Sequence, residues 1–155
     1  MQFFYLIITF IVVVADQILK SYIAATYHIG EIHQIIPAIL SFTYVQNNGA
    51  AWNILTGQMV FFYIISFFAI IVCIYFLFKN KYKSKTFNWG IALVLGGIIG
   101  NLIDRIHLKY VIDMIQVDFI QFNIFNIADA AITIGIILVF LYLLFIDEGE
   151  QKNVG

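Results

Sequence analysis

The stretch whose reading decides the fold is MVFFYIISFFAIIVCIYFLF, residues 59–78. It carries no charge, and Ser66 is its most polar side chain. About 20 apolar residues in helical form cross the hydrocarbon core of a bilayer. A helix is suited to that task because it satisfies its backbone N–H and C=O groups within one segment. Residues 59–78 are therefore expected to span a membrane. Three further stretches match this one in kind. Residues 125–146 are equally long, with Asn126 and Asp129 near their start. Residues 87–103 form a shorter apolar stretch with Asn101 near its end, followed at once by Asp104 and Arg105. Residues 3–25 open on a pure apolar run and then admit Asp16, Gln17 and Lys20.

Composition supports the same class. Of 155 residues, 63% are hydrophobic and 11% charged, against roughly 45–50% and ~25% in average globular domains. The mean hydropathy is +0.96. This content excludes disorder, and a chain so small has too much surface to hide so much apolar area in water. The expected fold is mainly α: a polytopic membrane protein of four transmembrane helices with a small β-containing element outside the membrane, residues 1–155 forming one unit. Eight Lys+Arg against nine Asp+Glu give a formal charge of −1, so there is no basic field for nucleic acid. The single cysteine allows neither an internal disulfide nor a multi-thiolate metal site. No cofactor or metal is expected.

The first span differs from a cleaved signal peptide. No basic residue precedes the apolar run, and Asp16 and Lys20 interrupt the place of a cleavage site. Lys79, Lys81, Lys83 and Lys85 crowd the link between the second and third spans, which the positive-inside rule assigns to the cytoplasm. Both termini, including the polar tail 147–155, are then cytoplasmic, and segments 27–58 and 106–124 lie outside. In the first outer segment Leu40, Phe42 and Tyr44 alternate with smaller or more polar neighbours, which reads as a short strand near the membrane surface. The second repeats that pattern weakly around 115–120.

Ionisable groups at a membrane are costly and mark function by default. Here Asn101, Asp104 and Arg105 sit at the outer end of the third span, Asn126 and Asp129 at the outer start of the fourth, and Asp113 in the loop between. Asn101, Asp104 and Arg105 fall at i, i+3 and i+4, one helical face; Asn126 and Asp129, at i and i+3, share another. Gly96 and Gly100 form a small-xxx-small pair that lets helices approach closely. The plain alternative is that these groups only cap helices and pair Asp with Arg. Two carboxylates held together beside an apolar site, however, share one proton. One is then a base able to activate water, the other an acid able to polarise a carbonyl, as aspartic peptide hydrolysis requires. Spacing leaves Asp104 as good a partner for Asp129 as Asp113.

Other candidates carry less. Cys73 lies mid-span among apolar residues and reads as core. Ser84–Lys85, adjacent in a loop, do not make a preorganised dyad, and His28, Glu31 and His33 lack metal-ligand spacing. Asp16 and Lys20, at i and i+4, read as a structural ion pair with Lys20 snorkelling outward. The run Asn47-Asn48-Gly49-Ala50-Ala51-Trp52 offers small residues for close backbone approach and Trp52 as an interfacial anchor. A small transporter using the acids as ion sites, or an adaptor using them to assemble helices, are the competing functions.

Five motifs follow one another along the chain: Asp16-Gln17 with Lys20, Asn47-x-Gly49-Ala50-Ala51-Trp52, Gly97-x-x-Gly100-Asn101-x-x-Asp104-Arg105, Val111-x-Asp113 and Phe125-Asn126-x-Ala128-Asp129. In these motifs and their order the chain resembles the signal peptidase II (lipoprotein signal peptidase) family over nearly its whole length. The resemblance implies that Asp113 and Asp129 are catalytic and that Asp104 supports the site near Arg105. It also implies that Asn47, Gly49, Asn101, Arg105 and Asn126 line the site and bond to substrate or dyad. It implies a monomer, in contact with membrane lipids, in a bacterial cytoplasmic membrane. This monomer would cut lipid-modified prolipoproteins before the lipidated cysteine on the extracytoplasmic side. Two positions depart from the family's pattern: Leu19 stands where Ser or Thr is usual, and Met114 where Phe is common.

Overall fold

The computed structural model describes residues 2–49, 55–79 and 84–146. Ala50, Ala51 and Trp52, the lysines Lys81 and Lys83, and the tail 147–155 lie outside the described residues. The elements in chain order are α1 (Gln2–Thr26), β1 (Ile32–Ile36), β2 (Leu40–Asn47), α2 (Met59–Lys79), α3 (Lys85–Leu108), β3 (Val111–Val117) and α4 (Ile127–Leu141). A π-helical turn, Tyr142–Ile146, continues α4. Four helices are long and apolar enough to cross a membrane, and the strands form one antiparallel sheet in the order β1-β2-β3. The fold class expected from the sequence is the one observed.

The helices bury different shares of themselves because they have different neighbours. Helix α3 packs against α1, α2 and α4 and is the most buried of the four. Helix α2 buries only Phe62, Ser66, Cys73 and Leu77, a narrow stripe at helical spacing. Phe67, Phe68, Ile64 and Val60 on its other faces are exposed, as a lipid-facing surface requires. Hydrophobicity gives little drive between helices in lipid, so close packing and polar contacts must hold them. A buried hydrogen bond from Thr9 Oγ1 to the Ala92 carbonyl, 3.0 Å, ties α1 to α3.

Glycines set how near the helices come. A Cβ at Gly97 would stand 2.3 Å from the Ala128 carbonyl oxygen and 2.6 Å from Ile132 Cγ1. Gly90 and Gly135 face one another across the same α3–α4 seam, each within 2.7 Å of the other's carbonyl if given a Cβ. The pair singled out in the sequence works on different partners: Gly96 accommodates Val12 of α1, and Gly100 accommodates the Asp16 carboxylate.

Helix α3 runs further than 87–103, to Leu108, so Asp104 and Arg105 are helical. It stops where Lys109 adopts a left-handed conformation (φ 67) and donates its N–H to the Arg105 carbonyl. The chain thereby reverses, and β3 starts two residues later. The strand expected weakly around 115–120 begins earlier, at Val111, because its buried half (Val111, Ile112, Asp113, Met114) packs on the bundle. β1 was not visible in the sequence; all five of its residues are exposed, so it has no alternation to read.

Replacing Gly97 by Ala is expected to force α3 and α4 apart and cost about 1–3 kcal/mol, the usual range for overpacking. Thermal unfolding in detergent will show a lowered midpoint; an unchanged midpoint contradicts the tight seam.

Candidate active site

Two backbone devices bring Asp113 and Asp129 to one place. In the sheet, Asp113 pairs with Val45 and Val111 with Asn47. Asn47 and Asp113 are thus diagonal neighbours on one face, within side-chain reach. At the entrance to α4, Phe125 bridges to Ile115, with Ile115 N–H donating to the Phe125 carbonyl (2.8 Å) and Phe125 N–H to the Ile115 carbonyl (3.1 Å). Asn126 then caps α4. Its side-chain oxygen accepts the Asp129 N–H at 2.9 Å, while Asp129 Oδ2 accepts the Asn126 N–H at 3.2 Å. This reciprocal box locks the first turn of the helix and with it the Asp129 carboxylate.

Capping is therefore part of what these residues do, but the same side chains also hold the carboxylates. Asp113 accepts from Asn126 Nδ2 at 2.7 Å and from Asn47 Nδ2 at 2.9 Å. Asp129 accepts from Asn101 Nδ2 at 2.8 Å. Asn101 Oδ1 in turn accepts from Asn126 Nδ2, 3.1 Å, and from Lys20 Nζ, 2.9 Å. The two aspartates are thus linked through Asn101 and Asn126. Asn47 is fixed by the Gly49 N–H donating to its oxygen at 2.9 Å.

A cavity of about 470 Å³ opens over this network. Asn47, Asn101, Arg105, Asp113, Asn123, Asp129 and Thr133 supply its polar lining, and Val111, Phe122, Ile124, Phe125, Ile132 and Ile134 much of its apolar wall. Asn126 is fully buried and does not line it; it acts on the aspartates, not on a ligand. Arg105 donates to the Gly49 carbonyl (3.2 Å) and the Asn101 carbonyl (3.4 Å), lies 4.7 Å over the Phe62 ring, and leaves a buried Nε without a partner. A guanidinium on the cavity wall suits a carbonyl or carboxylate guest.

Asp113 is 3% exposed. Burial, reinforced by the neighbouring Asp129 carboxylate and partly offset by the Asn47 and Asn126 amides, raises its pKa to about 7. A carboxyl so placed keeps its proton near neutrality.

The structure separates residues that the sequence grouped. The side chains of Asp104 and Arg105 point apart. It points toward α1, with Lys20 Nζ at 2.9 Å and Gln17 Nε2 at 2.9 Å, and accepts the Ile112 N–H at 3.1 Å. Neighbours on a helix diverge by about 100°, so Arg105 enters the cavity while Asp104 faces away. Asp16 and Lys20 do form an ion pair, at 2.8 Å, but Lys20 does not snorkel. It is 1% exposed, held inward by Asp16, Asp104 and Asn101. Gln17 bonds both carboxylates and was missed as a site residue; its place between two ionised positions on one face was the available signal. Among the described residues no group of His, Cys, Asp and Glu is arranged to hold a metal ion. Glu31 accepts from His33 Nε2 and the His28 N–H in an exposed loop, Ser84 caps α3, and Cys73 is buried in the apolar core. Leu19 and Met114, the two departures from the family pattern, pack in a single cluster with Ile23, Tyr44 and Ile112.

Known proteins are similar to this chain over most of its length. The family model described as Signal peptidase (SPase) II matches residues 8–145. A lipoprotein signal peptidase of Lactobacillus johnsonii is 66% identical over 149 residues, covering 96% of this chain and 97% of that protein. One from Enterococcus faecalis is 44% identical over 149 residues, covering 96% and 92%. A bacterial membrane enzyme solved by the in meso method at 2.3 Å superposes with a TM-score of 0.87 at 41% identity, covering 90% of this chain and 87% of the other. With two aspartates facing one cavity at the end of a four-helix membrane bundle, this chain belongs to the signal peptidase II family.

Proposed function

We propose that the chain removes signal peptides from diacylglyceryl-modified prolipoproteins, cutting before the lipidated cysteine, with Asp113 and Asp129 as its catalytic pair. The observation that carries this reading is the pair itself. Two carboxylates line one cavity, each fixed by an asparagine amide, and Asp113 is poised near neutrality.

In this mechanism the Asp129 carboxylate, as general base, takes a proton from a water that attacks the scissile carbonyl. Asp113 gives its proton to the carbonyl oxygen as the tetrahedral species forms. On collapse the departing amide nitrogen takes the proton held by Asp129, and the hydroxyl returns its proton to Asp113. Water is consumed and the pair is restored. Asn101 and Asn126 hold both carboxylates in place through these transfers, while Arg105 and Asn47 receive the peptide backbone.

The wall of the cavity suits a lipidated substrate. Ile132, Thr133 and Ile134 of α4 line it, and Ile134 is 52% exposed on a face read as lipid-facing. A diacylglyceryl chain lying in the bilayer would then hold the peptide against the pair, which replaces a bimolecular encounter by an oriented one. The lysine-bearing link between α2 and α3 supports a cytoplasmic placement of that end and of both termini, with the sheet end extracytoplasmic. The enzyme is taken to work as a monomer surrounded by membrane lipids; in support, both aspartates and the asparagines that hold them come from the same chain.

Asp113→Asn and Asp129→Asn are each expected to lower cleavage of a synthetic lipidated prolipoprotein by about 10³-fold, within the range for loss of a general acid or base. Both variants should remain membrane-inserted and folded. Turnover near the wild-type rate in either purified variant refutes the pair. The protonated Asp113 carboxyl should also be visible by difference infrared spectroscopy. Its carbonyl band should disappear with a midpoint near pH 7 and be missing from Asp113→Asn. Because activity needs that proton, the rate should fall as pH rises through the same midpoint; a midpoint in the ordinary carboxylate range refutes the assignment.

A further inference from the structure

Behind the cavity lies a group of ions that the proposed chemistry does not use. Asp16 is fully buried, Lys20 is 1% and Asp104 3% exposed, and none of them lines the cavity. Each carboxylate holds one backbone N–H, and the choice of N–H is informative. Asp16 Oδ1 accepts from Ala128 at 2.9 Å, the residue just before Asp129. Asp104 Oδ2 accepts from Ile112 at 3.1 Å, the residue just before Asp113. Lys20 Nζ joins the two carboxylates, 2.8 Å from Asp16 Oδ2 and 2.9 Å from Asp104 Oδ2. Gln17 Nε2 joins them again, at 3.3 Å and 2.9 Å. The third bond of Lys20 goes to Asn101, the donor to Asp129.

A buried ion cluster is a poor means of gaining stability, because desolvation offsets most of its Coulombic attraction. The helix packing nevertheless makes room for this one: a Cβ at Gly100 would lie 2.7 Å from Asp16 Oδ2. What the cluster does supply is a fixed distance between two points of backbone, one beside each aspartate. We infer that Asp16, Lys20, Asp104 and Gln17 form a clamp that sets the separation of the Asp113 and Asp129 carboxylates. These four are positioning residues. Separation matters because a neighbouring carboxylate raises the pKa of Asp113 more the closer it stands. The charged groups facing the pair are Arg105 from α3 on the cavity wall and Lys20 from α1 behind Asn101.

The inference rests on Asp113 and Asp129 being the catalytic pair, so its test uses residues outside that pair. Gln17→Leu removes one bridge without stranding a buried charge and is expected to fold; Lys20→Met removes the main bridge. With a synthetic lipidated prolipoprotein and the purified full chain, Gln17→Leu should lower kcat about threefold, and Lys20→Met tenfold or more per folded molecule. KM should stay within about twofold in both. The fall of kcat at rising pH should move to lower pH in both, since a more distant Asp129 carboxylate raises the Asp113 pKa less. A purely structural role would lower the folded fraction and leave that midpoint unchanged. An unchanged midpoint and kcat in Gln17→Leu overturns the clamp, whatever becomes of Lys20→Met. If Asp113→Asn and Asp129→Asn are inactive while Gln17→Leu is wild-type in both respects, the clamp fails and the catalytic pair stands. If the Asp→Asn variants keep turnover, it is the pair that fails.

Discussion

Everything at the sheet end of this bundle depends on one constraint: a charge taken out of water must be paired and hydrogen-bonded or it is not tolerated. Lys20 satisfies that constraint with three oxygens from two helices, Asp16 of its own helix and Asp104 and Asn101 of α3. Since the ammonium cannot leave for solvent, α1 and α3 cannot slide past one another without breaking it. The consequences run outward. Asn101 is oriented with its oxygen toward Lys20 and its amide toward Asp129, and Asn126, with its amide toward Asn101 and Asp113, is oriented in turn. The direction of each amide is dictated by the cation at the end of the row.

Helix packing and site geometry are consequently one problem. The α3–α4 seam brings Gly97 against the Ala128 carbonyl, while the N–H of the same Ala128 is held by Asp16. The backbone of a single residue next to Asp129 is thus gripped from two sides, by van der Waals contact with α3 and by a charged acceptor on α1. On the other side of the cavity, the left-handed turn at Lys109 and the Ile112–Asp104 bond fix the start of β3. Neither aspartate is carried on a free loop. Rigid support of this kind is what a pair of carboxylates needs if their spacing, and with it their shared proton, is to be reproducible.

The helices were legible in the sequence because hydropathy is a local property and lipid demands long uninterrupted runs of it. The sheet was half legible. β2 alternates and was read at Leu40, Phe42 and Tyr44. β1 is exposed along its whole length and gave no period, and β3 is buried at one end only, so its start at Val111 was hidden. Spacing gathers the candidates to one depth but does not sort Asp104 from Asp113; the resemblance names Asp113, whose place beside Asn47 depends on the pairing of β3 with β2, a contact between residues some 66 apart. Lys20 was misread for the same reason. Its i,i+4 partner Asp16 is local and was found, whereas the Asp104 and Asn101 that keep it buried lie more than 80 positions along the chain. Local rules therefore described Lys20 as a helix-surface lysine, and only the tertiary fold makes it interior.

Asp113 shows where function and stability part. Its pKa stands near 7 in the folded chain against about 3.9 for an ordinary aspartate, so the folded state holds this proton more tightly than the unfolded chain does. By linkage the associated stabilisation is complete below about pH 4 and is lost as pH rises through 7. The fold thus bears the cost of burying a carboxyl beside another carboxyl around neutrality, where the proposed chemistry needs its proton. An asparagine in its place would escape the repulsion but offer one acceptor where Asp113 offers two, so that its NH2 would meet the donor of either Asn47 or Asn126, both of which already point at that position. With Asn47 held by Gly49 and Asn126 by the α4 cap, neither can turn over freely to receive it. The surrounding donors therefore specify an acidic side chain at position 113 and keep it there against the electrostatic cost.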